Sequence, residues 1–238
     1  GDEFNVHTDA HNVPPLMRDG KMVLPDPTNR PCARPADRFP ARSSAAPTRP
    51  RPIYRLARLK SAPEIDGMPD AWTGSDAAVK MTLAESFDGS PSAGPASTAW
   101  LGYDEDVLYV TVRNTVSNAA SLVIGDHTWG GTDAMEIALQ DGLGAKPGPI
   151  LNLYGWPDGH FVSTDQAGAP ADVVARLGQS VNYAARVGEG EWTCEWRIPF
   201  AACGFTPKSA PSLLCNLGVR KMAENAWVIW RGTGDATY

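Results

Sequence analysis

Several features that mark large classes of proteins are missing from this sequence. No run of about 18 or more apolar residues occurs, so no segment is long enough to cross a bilayer as a helix. Lys and Arg number 21 against 27 Asp and Glu, which gives a net charge of −6. Nucleic acids and anionic membranes bind proteins through clustered basic surfaces. This acidic chain therefore predicts neither nucleic acid nor membrane as a partner.

The motifs of common enzymes are also absent. The sequence has no Gly-x-Ser-x-Gly, His-Glu-x-x-His, phosphate loop or dinucleotide fingerprint, and its four histidines are scattered through predicted loops. A glycosidase needs two carboxylates flanking the scissile bond, whereas Asp133 and Glu136 are predicted on opposite faces of a strand. The sequence predicts a protein that is not an enzyme.

Cysteine is scarce and has no metal-binding spacing. Cys32, Cys194, Cys203 and Cys215 form no Cys-x-x-Cys pair, so a zinc site is not expected. Cys194 and Cys215 lie on the apolar sides of predicted strands and should point inward. Two interpretations stay open for this pair, a disulfide if their strands are neighbours or two free core thiols.

The composition changes near residue 52. Residues 1–52 hold 10 of the 21 prolines and almost no periodic apolar pattern. Proline fixes φ and removes a backbone donor, so this segment is predicted to be an extended arm or linker. Its polar start lacks the charged and apolar regions of a signal peptide, and we expect any export signal to precede residue 1.

Residues 53–238 consist of short alternating segments separated by Gly, Asp, Asn and Pro. About eleven strands and two short helices fit this pattern. The predicted fold is all-β, an antiparallel β-sandwich of two sheets with a jelly-roll or immunoglobulin-like architecture. The predicted strands are 54–60, 77–83, 97–103, 107–114, 134–140, 150–154, 160–163, 181–187, 191–198, 213–220 and 227–231, and the helices are 170–177 and 199–203.

Tryptophans stand beside polar groups in two segments. Trp129 lies in a glycine-flanked loop before a strand that carries Glu136 between apolar residues, and Trp227 and Trp230 lie near the C-terminus. A sugar has an apolar C–H face and a rim of hydroxyls, so an indole plane beside carboxylate and amide groups suits it. These segments predict a carbohydrate-binding surface, with Tyr154 and Trp156 as candidates for its rim.

Each of these residues also has a structural interpretation. Trp129 could pack in its loop, although a buried indole N–H needs a partner. Trp230 alternates with Val228 and could equally be a core residue. A carboxylate inside a half-apolar strand must be paired or meet a polar ligand, so a salt bridge is the alternative for Glu136.

Five segments, in order, resemble family 9 carbohydrate-binding modules. They are residues 62–72, 100–112, 129–137, 192–200 and 214–219, and the resemblance extends over residues 54–238. It implies a sandwich that clasps one or two sugar units between two tryptophans, with structural calcium elsewhere and no organic cofactor. Trp129 matches the first clamp tryptophan, Glu136 the carboxylate that accepts sugar hydroxyls, and Asn152 a polar position on the next strand.

The match is less direct at the C-terminus. Trp230 best matches the tryptophan strand of the family, while Trp227 and Tyr238 are rival candidates for the second clamp ring. The family usually adds one more strand after this point, so residues 53–238 are predicted to lack a last strand. An unpaired sheet edge would then be covered by a partner or by the N-terminal arm.

Together these features predict a non-catalytic module of a larger glycan-active or surface protein that is secreted, periplasmic or on the cell surface. Its ligand would be a polysaccharide or oligosaccharide. Two alternatives stay open. One is a structural or assembly module whose residues 1–52 contact a neighbouring domain or subunit. The other is a haem-binding electron-transfer domain, since the same fold occurs in such domains, with Met222 and Met135 as axial ligands.

Overall fold

A computed structural model describes residues 52–69, 71–142, 148–206 and 212–234, together with two short strands in the predicted arm. The chain divides into two units, residues 1–45 and 46–238. In the first unit, β1 (Leu16–Arg18) pairs with β2 (Lys21–Val23) in an antiparallel hairpin. The rest of the predicted arm lies outside the described residues, and the boundary at residue 52 remains a prediction.

The second unit is an all-β antiparallel sandwich, as the sequence predicts. One sheet has the strand order β3-β4-β5-β10-β9 and the other β12-β11-β6-β7-β8. The strands are β3 (Val79–Leu83), β4 (Ser97–Tyr103), β5 (Val107–Thr115), β6 (Ala134–Asp141), β7 (Leu151–Gly155), β8 (Phe161–Thr164), β9 (Asn182–Gly188), β10 (Glu191–Pro199), β11 (Leu213–Lys221) and β12 (Ala226–Ile229).

The helices are few and short. They are α1 (Ala171–Ser180), α2 (Phe200–Cys203) and the 3₁₀ turns Ala71–Gly74 and Ala119–Ser121. In the parts of the chain that the structure describes, no helix has the length and apolar character needed to span a bilayer. Both predicted helices are confirmed, at 170–177 and 199–203.

The predicted strand at 54–60 is wrong. This segment runs irregularly, and the one bridge that it makes with the described residues joins Arg58 to Tyr103, with a backbone bond from Leu59 N to Tyr103 O (2.8 Å). Leu59 is buried, whereas the residues on both sides of it are exposed. The segment therefore contributes two separate apolar contacts, the buried Leu59 and the half-buried Leu56, in place of the alternating face that a strand presents.

The core fills the space between the two sheets. Alternation along each strand sends every second side chain inward, where apolar residues from both sheets interdigitate. The buried set includes Met81, Leu83, Leu101, Val110, Val112, Met135, Ile137, Leu139, Leu153, Trp192, Trp196, Ile198, Leu217 and Val219.

The cysteines of the second unit are free thiols. Cys194 lies on β10 and Cys215 on β11, and these strands belong to different sheets, so the disulfide interpretation is excluded and that of two free thiols holds. Cys194 Sγ instead lies 3.0 Å from Met135 Sδ in the core. Burial raises the pKa of Cys194 to about 12, so this thiol stays protonated at neutral pH.

A buried carboxylate holds a loop against the outer face of the first sheet. Glu195 is 1% exposed and accepts hydrogen bonds from the backbone N–H groups of Asp66 (3.1 Å) and Gly67 (3.1 Å) and from the Thr111 hydroxyl (3.2 Å). Gly67 has φ +85, and a Cβ there would lie 2.9 Å from the backbone of Ala185. The loop therefore needs both the glycine and the acceptor.

We expect Glu195→Ala to lower the free energy of unfolding by about 3 kcal/mol, because the part-buried N–H of Asp66 and the buried N–H of Gly67 lose a charged acceptor. Glu195→Gln keeps one acceptor oxygen and should cost about 1 kcal/mol. Urea denaturation measures both values. The matched control is Glu191→Ala on the same strand and face, where an exposed ion pair with Arg113 (3.4 Å) predicts a loss below about 1 kcal/mol. Equal losses for Glu195→Ala and Glu191→Ala would contradict this role.

The edge of the second sheet at β12 is covered by the segment that follows β3. Ile229 exchanges backbone hydrogen bonds with Glu85 (2.7 and 2.9 Å), and its carbonyl also accepts from Ala84 N (3.1 Å). Ser92 Oγ donates to the Trp227 carbonyl (2.6 Å). The chain thus protects this edge with its own residues 84–92, a solution that the sequence did not reveal.

Candidate functional site

The outer face of the second sheet carries an unusual set of aromatic and polar residues. Alternation points Glu136 on β6 and Tyr154 on β7 away from the core, and these two residues are paired across the strands. Arg220 on β11 and Trp227 on β12 form the next outward pair on this face. Because their strands are neighbours in the sheet, these side chains share one surface.

Four rings form a continuous aromatic surface here, which we call the aromatic ledge (Phe87, Trp129, Tyr154 and Trp227). Trp129 stacks flat on Tyr154, with centroids 4.0 Å apart and planes at 4°. It also meets Trp227 at 5.2 Å and 60°, and Phe87 packs on Trp227 at 5.1 Å. Trp129 and Trp227 are half-buried, so part of each residue is open to solvent.

A second group of rings continues from Tyr154. Trp156 meets Tyr154 edge to face (6.5 Å, 86°), and His127 lies 5.2 Å from Trp156. His127 stacks on His160 (4.1 Å, 23°), and its Nε2 lies 2.7 Å from Asp158 Oδ2. Tyr154 and Trp156 are themselves buried, so they support the half-buried rings of Trp129 and His127.

The loop that carries Trp129 is fixed by Asp133. The carboxylate of Asp133 is buried and accepts from Val123 N (2.8 Å) and Met222 N (3.0 Å). Burial raises the pKa of Asp133, and these two N–H bonds oppose that effect. Asp133 thus ties the loop to the turn after β11 and has a structural role.

Arg220 joins the same loop to the β11–β12 turn. It is 7% exposed and donates from Nε to the Gly130 carbonyl (3.1 Å) and from Nη2 to Asn225 Oδ1 (2.6 Å). Its guanidinium lies 5.5 Å from the ring centroid of Trp227, within the range of a cation–π contact. One side chain therefore fixes the relative positions of the Trp129 loop and Trp227.

Glu136 and Asn152 lie on the ledge side of the sheet but below its surface. Asn152 Nδ2 donates to Glu136 Oε1 (2.9 Å). Asn152 is 0% exposed and Glu136 is 1% exposed. The carboxylate is thus hydrogen-bonded to a neutral amide within the sheet. Asn152 Oδ1 is buried without a hydrogen-bond partner among the described residues. Contact of either residue with a sugar remains a prediction.

Trp230 lies apart from the other predicted site residues. Since β12 alternates, Trp227 faces outward, whereas Val228 and Trp230 face the other way. Trp230 packs against the main core and lies 5.7 Å from the ring of Tyr54. The structure therefore brings Trp129 and Trp227 together and leaves Trp230 out, while Tyr238 lies outside the described residues.

The two ledge tryptophans do not face each other across a gap. A sugar held between two parallel rings needs their planes about 7–8 Å apart, twice the usual carbon contact distance. Trp129 and Trp227 instead touch, at 5.2 Å between centroids. The two rings form a corner in place of the open clamp that the family resemblance implies.

The described residues supply no cluster for a metal ion. Within ranges 52–69, 71–142, 148–206 and 212–234, no group of three or more His, Cys, Asp or Glu side chains could hold one. Calcium also takes backbone carbonyl, amide and water oxygens, which such a cluster does not include, and its presence remains a prediction. Met135 does not suit haem, since it is 0% exposed and its sulfur accepts from Trp196 Nε1 (3.2 Å).

Sequence reasoning missed two parts of the site. Phe87 reaches Trp227 only because residues 84–92 cross to the edge of the second sheet. This non-local pairing leaves no local signal in the sequence. Arg220 was detectable in principle, because it alternates with Val219 and Lys221 on a predicted strand close to Trp227.

Comparison with solved structures supports the fold. A family 9 carbohydrate-binding module from Caldicellulosiruptor kristjanssonii in complex with cellotriose matches with a TM-score of 0.53 and 16% identity, over 76% of this chain and 87% of the module. The glucose complex of a family 9 module from the same organism matches with a TM-score of 0.52 and 15% identity, over 76% and 86%. No family model and no curated protein matches the sequence. The chain thus shares the fold of these modules, which agrees with the resemblance noted in the sequence.

Proposed function

We propose that the second unit binds carbohydrate on the aromatic ledge without catalysing a reaction. The observation that carries the proposal is the corner formed by two half-buried indoles, Trp129 and Trp227, on the outer face of a sheet. Buried hydrophobic side chains belong to cores, whereas grouped aromatic planes open to solvent mark binding surfaces.

The corner suits the shape of a sugar ring. Tyr154 covers one face of Trp129, so a ligand can stack only on the other face. Because the two planes meet at 60°, the apolar C–H face of a pyranose can stack on Trp129 while its edge contacts Trp227. Because the rings are braced by Tyr154, Phe87 and Arg220, little side-chain freedom is lost on binding.

Polar groups beside the corner can meet the hydroxyl rim. Thr128 and Asn225 are exposed and lie on the two turns that flank the ledge. Their hydroxyl and amide groups donate and accept hydrogen bonds, as neutral hydroxyls require. A neutral saccharide is the ligand class that this combination favours.

The carboxylates near the ledge support a non-catalytic role. Asp133 is held by two backbone N–H groups, and Glu136 is bonded to Asn152 below the surface. Hydrolysis of a glycosidic bond needs two carboxylates that reach the bond from opposite sides. Neither group is placed for that task.

The direct test is a glycan array followed by isothermal titration of the full chain with neutral oligosaccharides, including glucose and cellotriose. We expect binding with modest affinity and a change in tryptophan fluorescence, because Trp129 and Trp227 would contact the ligand. Absence of binding to every neutral glycan, with unchanged fluorescence, would refute the proposal.

Arg220→Lys should weaken saccharide binding by about threefold to tenfold, because lysine cannot hold the Gly130 carbonyl and Asn225 in one rigid fork. The emission of Trp227 should also change in the unliganded protein. The matched control is Arg186→Lys. Arg186 lies on β9 of the other sheet, where its Nε donates to the Asp66 carbonyl (2.8 Å). An Arg220→Lys variant that binds as tightly as the control would show that Arg220 does not position the ledge.

A further inference from the structure

Polar side chains meet inside the sandwich at one end of the first sheet. Ser97 on β4 is directly opposite Asn114 on β5, and Asn114 is directly opposite Trp192 on β10. All three side chains point inward, on the same face of the sheet as Val112 and Cys194, and all three residues are 0% exposed. Directly opposed residues have Cβ atoms about 4.5–5.5 Å apart, so these three side chains are neighbours across the sheet.

The polar atoms of this row have no partners. Ser97 Oγ, Asn114 Nδ2, Asn114 Oδ1 and Trp192 Nε1 are buried and make no hydrogen bond within the described part of the chain. Each unpaired buried group shifts the folding equilibrium by roughly 5- to 150-fold toward the unfolded chain. Folded proteins rarely leave such groups together unless something pairs with them.

A buried lysine reaches the same place from the second sheet. Lys221 is 0% exposed, and its Nζ donates to the carbonyls of Pro95 (2.6 Å) and Thr115 (2.6 Å). Thr115 is next to Asn114, and Pro95 lies two residues before Ser97. An ammonium group has three N–H donors, and the third meets no acceptor among the residues described here.

We propose that this end of the sandwich encloses ordered water that bridges Ser97, Asn114, Trp192 and Lys221. Water both donates and accepts, so it can pair with the Asn114 carbonyl oxygen as well as with the N–H and O–H donors around it. An anion would satisfy the donors but leave Asn114 Oδ1 unpaired. The mixed set of orphan groups therefore favours water.

The direction in which one substitution changes the stability of the protein tests the proposal. Asn114→Leu keeps the branch point and the number of side-chain heavy atoms and replaces both amide polar atoms by methyl groups. If water bridges these groups, the substitution removes the water's partners at Asn114 and leaves Ser97 and Trp192 without hydrogen bonds. The unfolding equilibrium should then shift at least tenfold toward the unfolded chain. Without water, the substitution removes two orphan atoms, and the protein should become more stable, which would overturn the proposal.

The matched control is Ser163→Ala on β8, whose Oγ is also buried without a partner but stands alone. We expect its stability to be unchanged or higher. If Ser163→Ala destabilised the protein as much as Asn114→Leu, the loss would be a general effect of changing a buried polar residue. That result would also overturn the proposal.

Direct observation of the wild-type chain does not depend on folding of a variant. Nuclear Overhauser effects between the Trp192 indole proton and water, and density bridging Asn114 and Ser97 in a high-resolution crystal structure, are the expected results. Dry density there would overturn the proposal. Anomalous signal from bromide at this position would assign an anion in place of water.

Discussion

Trp129→Ala should reduce saccharide affinity at least tenfold. The substitution removes the plane on which the sugar is proposed to stack, and a tenfold loss corresponds to about 1.4 kcal/mol, within the range of aromatic contacts. Tyr154 lies directly beneath Trp129, with centroids 4.0 Å apart, so its ring is too deep to replace the lost contact without movement. Isothermal titration with the best glycan from the array measures the effect.

Trp230→Ala is the matched control for this prediction. Trp230 is half-buried like Trp129, but it faces the opposite side of β12 and contacts Tyr54. Its removal should lower stability and leave affinity unchanged within about twofold, well below the tenfold step of 1.4 kcal/mol. Thermal unfolding of both variants shows that they are folded at the temperature of the titration. The reverse pattern, with affinity lost in Trp230→Ala and kept in Trp129→Ala, would move the site to the other face.

Gly155→Ala should destabilise the second unit by about 3 kcal/mol, through overpacking of a filled core. Gly155 lies on β7 between Tyr154 and Trp156, and it faces inward. A Cβ at this position would lie 2.4 Å from Trp196 Cζ2 and 2.7 Å from Tyr183 Cζ. Trp196 is fully buried and cannot move away. For a domain of this size, we expect the midpoint of thermal unfolding to fall by roughly 6–12 °C.

Gly178→Ala provides a control of opposite sign. Gly178 lies in α1, and a Cβ there would meet no heavy atom within 4 Å. Replacing a helical glycine by alanine should raise stability by about 0.5–1 kcal/mol. The double variant Gly155→Ala/Trp196→Phe should recover part of the loss, since the smaller ring vacates the space of the new methyl group. Gly155→Ala with wild-type stability would show that the aromatic core adapts freely.

The local alternation of the sequence was sufficient to predict most of the fold. Ten of the eleven predicted strands match β3 to β12, because each has apolar residues at every second position and is bounded by turn residues. The segment 54–60 has apolar residues at a similar spacing, yet it runs irregularly and makes a single isolated bridge, from Arg58 to Tyr103. Alternation predicts that a segment is extended, but it does not show whether a neighbouring strand is available to pair with it.

The site was predicted less completely, because alternation does not reveal which face of a strand meets the core. Trp227 and Trp230 are three residues apart and equally aromatic, but the pairing of β12 with β11 sends one outward and the other inward. Glu136 and Asn152 were predicted as sugar contacts from their types and strands, whereas their depth below the surface depends on neighbours that are distant in sequence.

By itself, the sequence determined the all-β architecture and the positions of its strands, since these follow from periods of two residues and from turn chemistry. The tertiary structure decided which rings touch, how the edge at β12 is covered, and that Cys194 and Cys215 belong to different sheets. Contacts of this second kind join residues about 20 to 140 positions apart, and they are set by how the sheets pair and pack, which no local pattern records.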